Sequence, residues 1–311
     1  MPAEPTTAAA PLAAIDEVAG VAKPDPILVV DGVRRQFGGL KAVDVEHLEI
    51  QRGIITALIG PNGAGKTTFF NLLTGFDEPD HGTWRFNGHD VSGLRPYQMA
   101  RKGMIRTFQL TKSLAKLTVI ENMKLGATDQ RGERFLPSLL PMLWRSQEQE
   151  IEARADELLH RFKLNHMRDE FAGSLSGGQR KLLEMARALM AGPELVMLDE
   201  PMAGVNPALT QSLLDHVKDL RAQGMTVIFV EHDMDVVFDI SDWVVVMAEG
   251  RIIAEGPPSS IGSNPEVIDA YLGAHHDSDL SDWEEAAVVE ATTGADHDVI
   301  AEELHKGDDG P

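Results

Sequence analysis

One nonapeptide decides most of what this chain can be. Gly60-Pro-Asn-Gly-Ala-Gly-Lys-Thr-Thr68 satisfies G-x-x-x-x-G-K-[ST] at every fixed position. An apolar strand-like run (Ile54, Ile55, Ala57, Leu58, Ile59) precedes it, and a helix-like run (Phe69, Phe70, Leu72, Leu73) follows. Strand, loop and helix in that order are the context in which such a loop wraps phosphate. Gly60, Gly63 and Gly65 bring no Cβ atoms to stop the backbone curling its N–H groups around an anion. The helix that follows aims its positive end at the same place. Lys66 is placed to reach β- and γ-phosphate oxygens, and the Thr67 hydroxyl to sit on Mg²⁺. The predicted phosphate site is therefore Gly60, Pro61, Asn62, Gly63, Ala64, Gly65, Lys66, Thr67 and Thr68. The bland alternative is a glycine-rich turn before an ordinary helix, and the full match in context weighs against it.

A second motif, Leu195-Val-Met-Leu-Asp-Glu200, is an apolar strand that delivers two adjacent carboxylates at its end. Strand geometry is expected to send Asp199 and Glu200 in different directions. Asp199 can then hold Mg²⁺, directly or through water, while Glu200 polarises the water that attacks the γ-phosphate. A strand ending in Asp-Glu could alone be a surface turn; downstream of a complete phosphate loop it reads as catalytic. The third motif, Leu175-Ser-Gly-Gly-Gln179, opens a helix running Arg180 to Met190. Ser176 as an N-cap and the N–H groups of Gly177 and Gly178 make a second anion site. Two phosphate-seeking helix starts in one chain suggest that one of them serves a γ-phosphate held by another subunit.

Charge and composition limit the partners. The net charge of −21 argues against a general nucleic-acid binder, which needs a basic footprint to displace counterions. The charge is uneven: His275 to Pro311 carries twelve Asp/Glu against one Lys, with few aromatics and no sustained period, and reads as a disordered acidic tail. Its histidines follow no defensible metal-ligand spacing and read as a solvated surface. Residues 1–25 read as a disordered leader, because Met1 to Ala22 is Ala/Pro-rich, has no Lys or Arg and lacks the continuous apolar core of a secretory signal. Zero cysteines rule out disulfides and thiolate metal sites and suit a reducing cytoplasm. Leu136 to Trp144, the longest candidate for a membrane span, is too short and contains two prolines.

Between these ends, 26–274 reads as one α/β domain. Ile27 to Val30, Val43 to Ile50, Thr83 to Phe86 and Met104 to Phe108 read as strands. From Thr118 to about Met167 the character turns helical, with Val119 to Ala127 and Glu148 to Phe162 separated by the Gly/Pro-containing stretch Arg131 to Pro141. This predicts a helical subdomain, about 112–190, inserted in the α/β core. Glu194 to Leu198 and Met225 to Val230 are continuous apolar runs suited to strands buried on both faces of a parallel sheet. A helix-like segment, Pro207 to Gln223, lies between them.

Taken together, the three motifs resemble the ATP-binding subunits of ABC transporters. Gly60 to Thr67 looks like their Walker A, Glu194 to Glu200 their Walker B and Leu175 to Gln179 their signature, in the family's order across about Ile27 to Gly273. The resemblance implies a P-loop ATPase core with an antiparallel β subdomain and an inserted helical subdomain. Position by position, Gln109 looks like the Q-loop glutamine that contacts Mg²⁺ and couples to the membrane subunit. His232 looks like the switch histidine for the γ-phosphate, and Phe37 sits where the family stacks an aromatic ring on adenine, although it could also be plain core. Ala203-Gly-Val-Asn206 occupies the D-loop position, with Asn206 where Asp is usual. Phe37-Gly-Gly-Leu-Lys-Ala-Val43, Ile105-Arg-Thr-Phe-Gln109, Val230-Glu-His-Asp-Met234 and Asn264 to Gly273 are similar to branched-chain amino acid importer ATPases of the LivG type.

That resemblance implies ATP and Mg²⁺ as cofactors, and ATP hydrolysis in a head-to-tail dimer. Each nucleotide would lie between one subunit's Lys66 loop and the other's Ser176–Gln179 loop. The implied partners are integral-membrane permease subunits, a second ABC ATPase chain (related or identical) and, indirectly, an extracytoplasmic solute-binding protein, at the cytoplasmic face of the membrane and with no nucleic acid. Urea or amide importers and a lipopolysaccharide-type exporter are the near alternatives, and a non-transport ABC ATPase acting on ribosomes or DNA is the distant one. The distant class usually carries two cassettes or a long coiled coil, and this chain has neither feature.

Overall fold

The computed structural model describes Leu12 and residues 15–107, 115–128, 130 and 144–274. The expectations for Gln109, for 131–141 and for 275–311 lie outside these residues, as do residues 1–11.

The first two strands, β1 (Pro26–Phe37) and β2 (Leu40–Gln51), form one long antiparallel hairpin whose register closes at Phe37 opposite Leu40. They run further than the apolar cores Ile27 to Val30 and Val43 to Ile50 suggest, because the ladder continues through polar residues as far as the Gly38-Gly39 turn. After β3 (Ile55–Ile59), which belongs elsewhere, β4 (His81–Phe86) pairs with β1 and β5 (His89–Asp90) with β4, giving the order β2-β1-β4-β5. Asn87 and Gly88, at φ 51° and 74°, make the tight turn between β4 and β5, where both central residues need positive φ.

The second sheet has the order β10-β9-β3-β8-β7-β6, with β6 (Met104–Arg106), β7 (Leu195–Asp199), β8 (Thr226–Val230), β9 (Trp243–Ala248) and β10 (Arg251–Gly256). It is parallel except for the β9–β10 hairpin. Every residue of β3, β8 and β9 is buried, as continuous apolar strands covered on both faces must be. Alternation along β7 separates the two cores. Val196 and Leu198 face a cluster built with the helical region, and Leu195 and Met197 face one built with the antiparallel sheet and α1 (Lys66–Leu73).

The remaining α-helices among the described residues are α2 (Pro96–Arg101), α3 (Val119–Lys124), α4 (Arg145–Arg161), α5 (Gly177–Leu189), α6 (Pro207–Ala222), α7 (Met234–Ile240), α8 (Pro258–Ile261) and α9 (Pro265–Ala274), with short 3₁₀ turns at Asn165–Met167 and Ala172–Ser174 between α4 and α5. Val119, Met123, Ala155, Leu159, Leu182 and Ala186 pack α3, α4 and α5 together, and the same cluster continues onto the sheet. His216 of α6 stacks on Phe162 with ring centroids 4.4 Å apart, which joins the helical region to the α/β core.

Residues 15–25 depart from the expectation of a disordered leader. Glu255 of β10 is buried and accepts hydrogen bonds from Gly20 N (2.6 Å), Val21 N (3.1 Å), Lys23 Nζ (2.6 Å) and Trp243 Nε1 (2.9 Å). The Lys23 ammonium also lies 4.3 Å from the Trp243 ring centroid. A buried carboxylate needs such company, since an unpaired one would be strongly destabilising. The anchor lies more than two hundred residues away in sequence, so composition near the terminus cannot reveal it.

Candidate active site

Parallel pairing in the order β3-β8-β7 brings the C-terminal ends of three strands to one edge of the sheet. That edge is where open α/β sheets place ligands. The phosphate loop leaves β3, Glu200 leaves β7 and His232 follows β8.

The loop's glycines divide their work. Gly60 (φ 147°) and Gly65 (φ 99°) lie against the protein's own backbone: a Cβ would stand 1.9 Å from Met247 O and 2.2 Å from Ala42 O respectively. Gly63 (φ 81°) meets nothing within 4 Å and is required by its backbone conformation alone. Two of the three glycines therefore serve close packing of the loop as well as its curl. Gly65 is the N-cap of α1, and the buried Lys66 Nζ donates to Gly60 O (2.6 Å) and Pro61 O (3.0 Å), which fixes the ammonium across the loop. Burial pushes the Lys66 ammonium below its usual range, opposed by the negative charges of Glu200 and Asp199.

A groove of about 820 Å³ opens over this loop. Asn62, Gly63, Ala64, Gly65, Lys66, Thr67 and Thr68 line it together with Phe37, Leu40, Lys41, Ala42, Glu249 and Arg251. Gly60 and Pro61 are not in its lining. Phe37 is 48% exposed at the groove, so it is not core. The Arg35 guanidinium covers it at 4.7 Å from the ring centroid. The β9–β10 turn is tied to the loop and to β2 by Gly250 N to Ala64 O (3.0 Å) and Asp44 N to Gly250 O (2.7 Å). Sequence reasoning overlooked Glu249 and Arg251, since only this turn's tertiary bonds carry them to the groove.

Asp199 and Glu200 do diverge, but not by strand alternation. Asp199 ends β7, whereas Glu200 lies beyond it in the left-handed region at φ 46°. Asp199 Oδ2 accepts from Arg106 Nη2 at 2.5 Å, and Arg106 Nη1 donates to Asn71 Oδ1 at 2.6 Å, bracing the carboxylate against α1. Glu200 Oε1 lies 2.8 Å from His232 Nε2. A non-glycine residue held at positive φ is the kind of strain that collects at active sites.

The start of α5 is a capping box. Ser176 Oγ accepts from Gln179 N (3.2 Å) and Gln179 Oε1 accepts from Ser176 N (2.9 Å), leaving the serine hydroxyl hydrogen available to a ligand. Gly177 is open to its surroundings, while a Cβ on Gly178 would stand 1.5 Å from Leu209 Cδ2. None of Ser176, Gly177, Gly178 and Gln179 lines the groove over Lys66. Asn206 spends its side chain within its own chain, capping α6 by accepting from Leu209 N at 3.0 Å.

Mg²⁺ takes one or two protein oxygens and completes its shell with phosphate and water. The exposed Thr67 hydroxyl and the Asp199 carboxylate are donors of that kind. Among the described residues no cluster of three or more His, Cys, Asp or Glu could hold a metal on its own. A protein-only cage is thus not what this site offers.

A phosphate loop, a braced aspartate, a strained glutamate and a histidine at one edge of a parallel sheet, with an antiparallel sheet and a helical region attached, define an ATP-binding cassette ATPase. Comparison with known proteins agrees: the ABC transporter family model matches residues 43–203, and the model for the branched-chain amino acid ATP-binding cassette transporter matches 251–277. The chain belongs to the ABC transporter family. It is 43% identical over 254 residues to a probable branched-chain amino acid transport ATP-binding protein LivG of Archaeoglobus fulgidus, covering 82% of this chain and 98% of that one. It is 41% identical over 251 residues to the high-affinity branched-chain amino acid transport ATP-binding protein BraF of Pseudomonas aeruginosa, covering 80% and 98%. The crystal structure of an ATP-binding cassette of an ABC transporter in its ADP conformation superposes with a TM-score of 0.70 at 39% identity, covering 80% and 99%. No helix among the described residues is long and apolar enough to cross a membrane.

Proposed function

We propose that this chain is the ATP-hydrolysing motor of an importer for branched-chain amino acids, bound to the cytoplasmic face of permease subunits. The observation that carries the hydrolytic part is the convergence of Lys66, Asp199, Glu200 and His232 on one sheet edge. The solute assignment rests on the relatives' names and on the match over 251–277. Adenine stacks on the exposed ring of Phe37, and the N–H groups of 60–68 with Lys66 hold the β- and γ-phosphates. Thr67, Asp199 and Gln109 hold Mg²⁺, which neutralises phosphate charge when bound. Glu200 orients and deprotonates the attacking water, and His232, hydrogen-bonded to Glu200, faces the γ-phosphate. The Ser176–Gln179 site lies outside this groove and serves the nucleotide of a second ATPase subunit, the same chain or a related one. Gln109 couples closure of the pair to the permease, and an extracytoplasmic binding protein supplies the solute.

Gentle extraction of the tagged chain from its native membranes tests this reading. A multi-span permease pair, a second ATPase and ATP-dependent uptake of leucine, isoleucine or valine into reconstituted vesicles is the expected result. Recovery of ribosomal or DNA-repair proteins with no permease would overturn the transport role. Uptake of a different solute would overturn only its specificity.

A further inference from the structure

The loop after Glu200 is held from both sides by charged groups that have no part in the hydrolytic scheme so far. On one side, Lys181 of α5 turns its ammonium onto three carbonyls: Glu200 O (3.3 Å), Pro201 O (2.9 Å) and Ala203 O (2.5 Å). On the other, Glu231, 5% exposed at the end of β8, accepts from Met202 N at 2.8 Å with Oε1 and from His232 N at 3.4 Å with Oε2. Three carbonyls of this short loop thus meet a cation while the Met202 N–H meets an anion. Glu200 N is fixed to Val230 O at 3.0 Å, and Glu200 itself sits at φ 46°. A left-handed non-glycine conformation persists only where its surroundings over-determine it. Lys181 and Glu231 supply that over-determination.

We infer that Lys181 and Glu231 are positioning residues for catalysis: they clamp 200–203 so that the Glu200 carboxylate is presented to His232 and to the water it activates. The inference rests on Glu200 as the general base. Lys181 belongs to the helix that Ser176 caps, so the clamp also joins the site serving a second subunit's nucleotide to the base acting on this chain's own. Glu231 fixes the backbone N–H of His232 and the loop of Glu200 together, so one carboxylate sets both ends of the Glu200–His232 bond.

The test compares Lys181→Met, Lys181→Arg and Glu231→Gln with Glu200→Gln in the full chain, measuring kcat and KM for Mg-ATP and thermal midpoint. ATP affinity is read in the Glu200→Gln background, where turnover does not interfere. Lys181→Met is expected to lower kcat by about 10²-fold, the scale of a misplaced catalytic group, with ATP affinity within about threefold of the parent. Lys181→Arg, which keeps donors for the carbonyls, restores most of the rate. Glu231→Gln keeps an acceptor for Met202 but sets an amide against His232, and lowers kcat by about tenfold. If Lys181→Met does not fold, Lys181→Gln carries the same expectation. A kcat within twofold of wild type in the folded Lys181 variant, or a rate loss matched by lost ATP affinity, overturns the clamp while leaving Glu200 in its role. Undiminished hydrolysis by Glu200→Gln overturns both.

Discussion

His232 Nε2 lies 2.8 Å from Glu200 Oε1, although the two residues follow different strands and stand thirty-two positions apart. Parallel pairing of β7 and β8, with Asp199 opposite Val230, brings the two strand ends that carry them side by side. Glu200→Gln keeps the shape and removes the base, so kcat should fall about 10²–10⁴-fold with ATP still bound. His232→Ala should lose about 10²-fold alone and little further in the Glu200→Gln background, because the two act as one unit. Steady-state ATPase rates of the single and double variants check this.

The phosphate loop's glycines should fail in different ways. Gly63→Ala meets no neighbour and bears only the left-handed penalty of about 1–2 kcal/mol. Gly60→Ala drives a methyl into Met247 O, so β3 and β9 must part. It should lower the denaturation midpoint well beyond Gly63→Ala and abolish ATP binding, as urea titration and nucleotide fluorescence would read.

Arg106 and Asp199 form an ion pair whose side chains are 6% and 10% exposed. Removing one partner of such a pair typically costs about 3–5 kcal/mol, because the remaining charge is left without compensation. Arg106→Ala should show a loss of that order in chemical denaturation, and Arg106→Lys a smaller one, since a lysine cannot reach Asn71 and Asp199 with a rigid fork.

His216 gives the fold an acid-sensitive joint. Burial chiefly depresses its pKa below 6.5, with Asp219 and Asp215 opposing and Arg161 and Lys163 reinforcing the shift. Neither ring nitrogen finds a hydrogen-bond partner among the described residues. A base with a depressed folded pKa contributes stability that is present above its unfolded pKa and lost as pH falls through the folded value. Wild-type stability should therefore decline from about pH 6.5 downward, and His216→Phe, which keeps the stack on Phe162, should flatten that decline. Thermal midpoints of both proteins across pH 5–8 decide it.

The sequence made the chemistry legible where it is local. The run 60–68, the Asp199-Glu200 pair and Ser176 each announce a strand end or a helix start, and the structure puts each at one. What it hid is tertiary. Arg106 reads as one basic residue in a short strand until its guanidinium is seen between Asn71 and Asp199. Lys181 reads as a surface position of an amphipathic helix, yet it crosses to three carbonyls. Trp243–Ala248 and Arg251–Gly256 answer to no expectation stated above, although the first is an unbroken apolar run; with them went Glu249 and Arg251 of the groove. Phe37 reads equally as a stacking ring or as core, because an aromatic at a hairpin end is compatible with both, and only its exposure separates them.

The fastening of residues 20–23 to Glu255 bears on how the protein can be cut. A truncation begun at Pro26, where strand and family motifs start, would look conservative on paper. It would leave the Glu255 carboxylate inside the protein with only the indole of Trp243 from the four donors described above, and the Trp243 ring without its cation. Expression boundaries, affinity tags and cleavage scars placed within 15–25 thus fall on a structural tenon, and a shortened chain that aggregates would be reporting a broken joint at β10 while its ATP site remained intact in sequence.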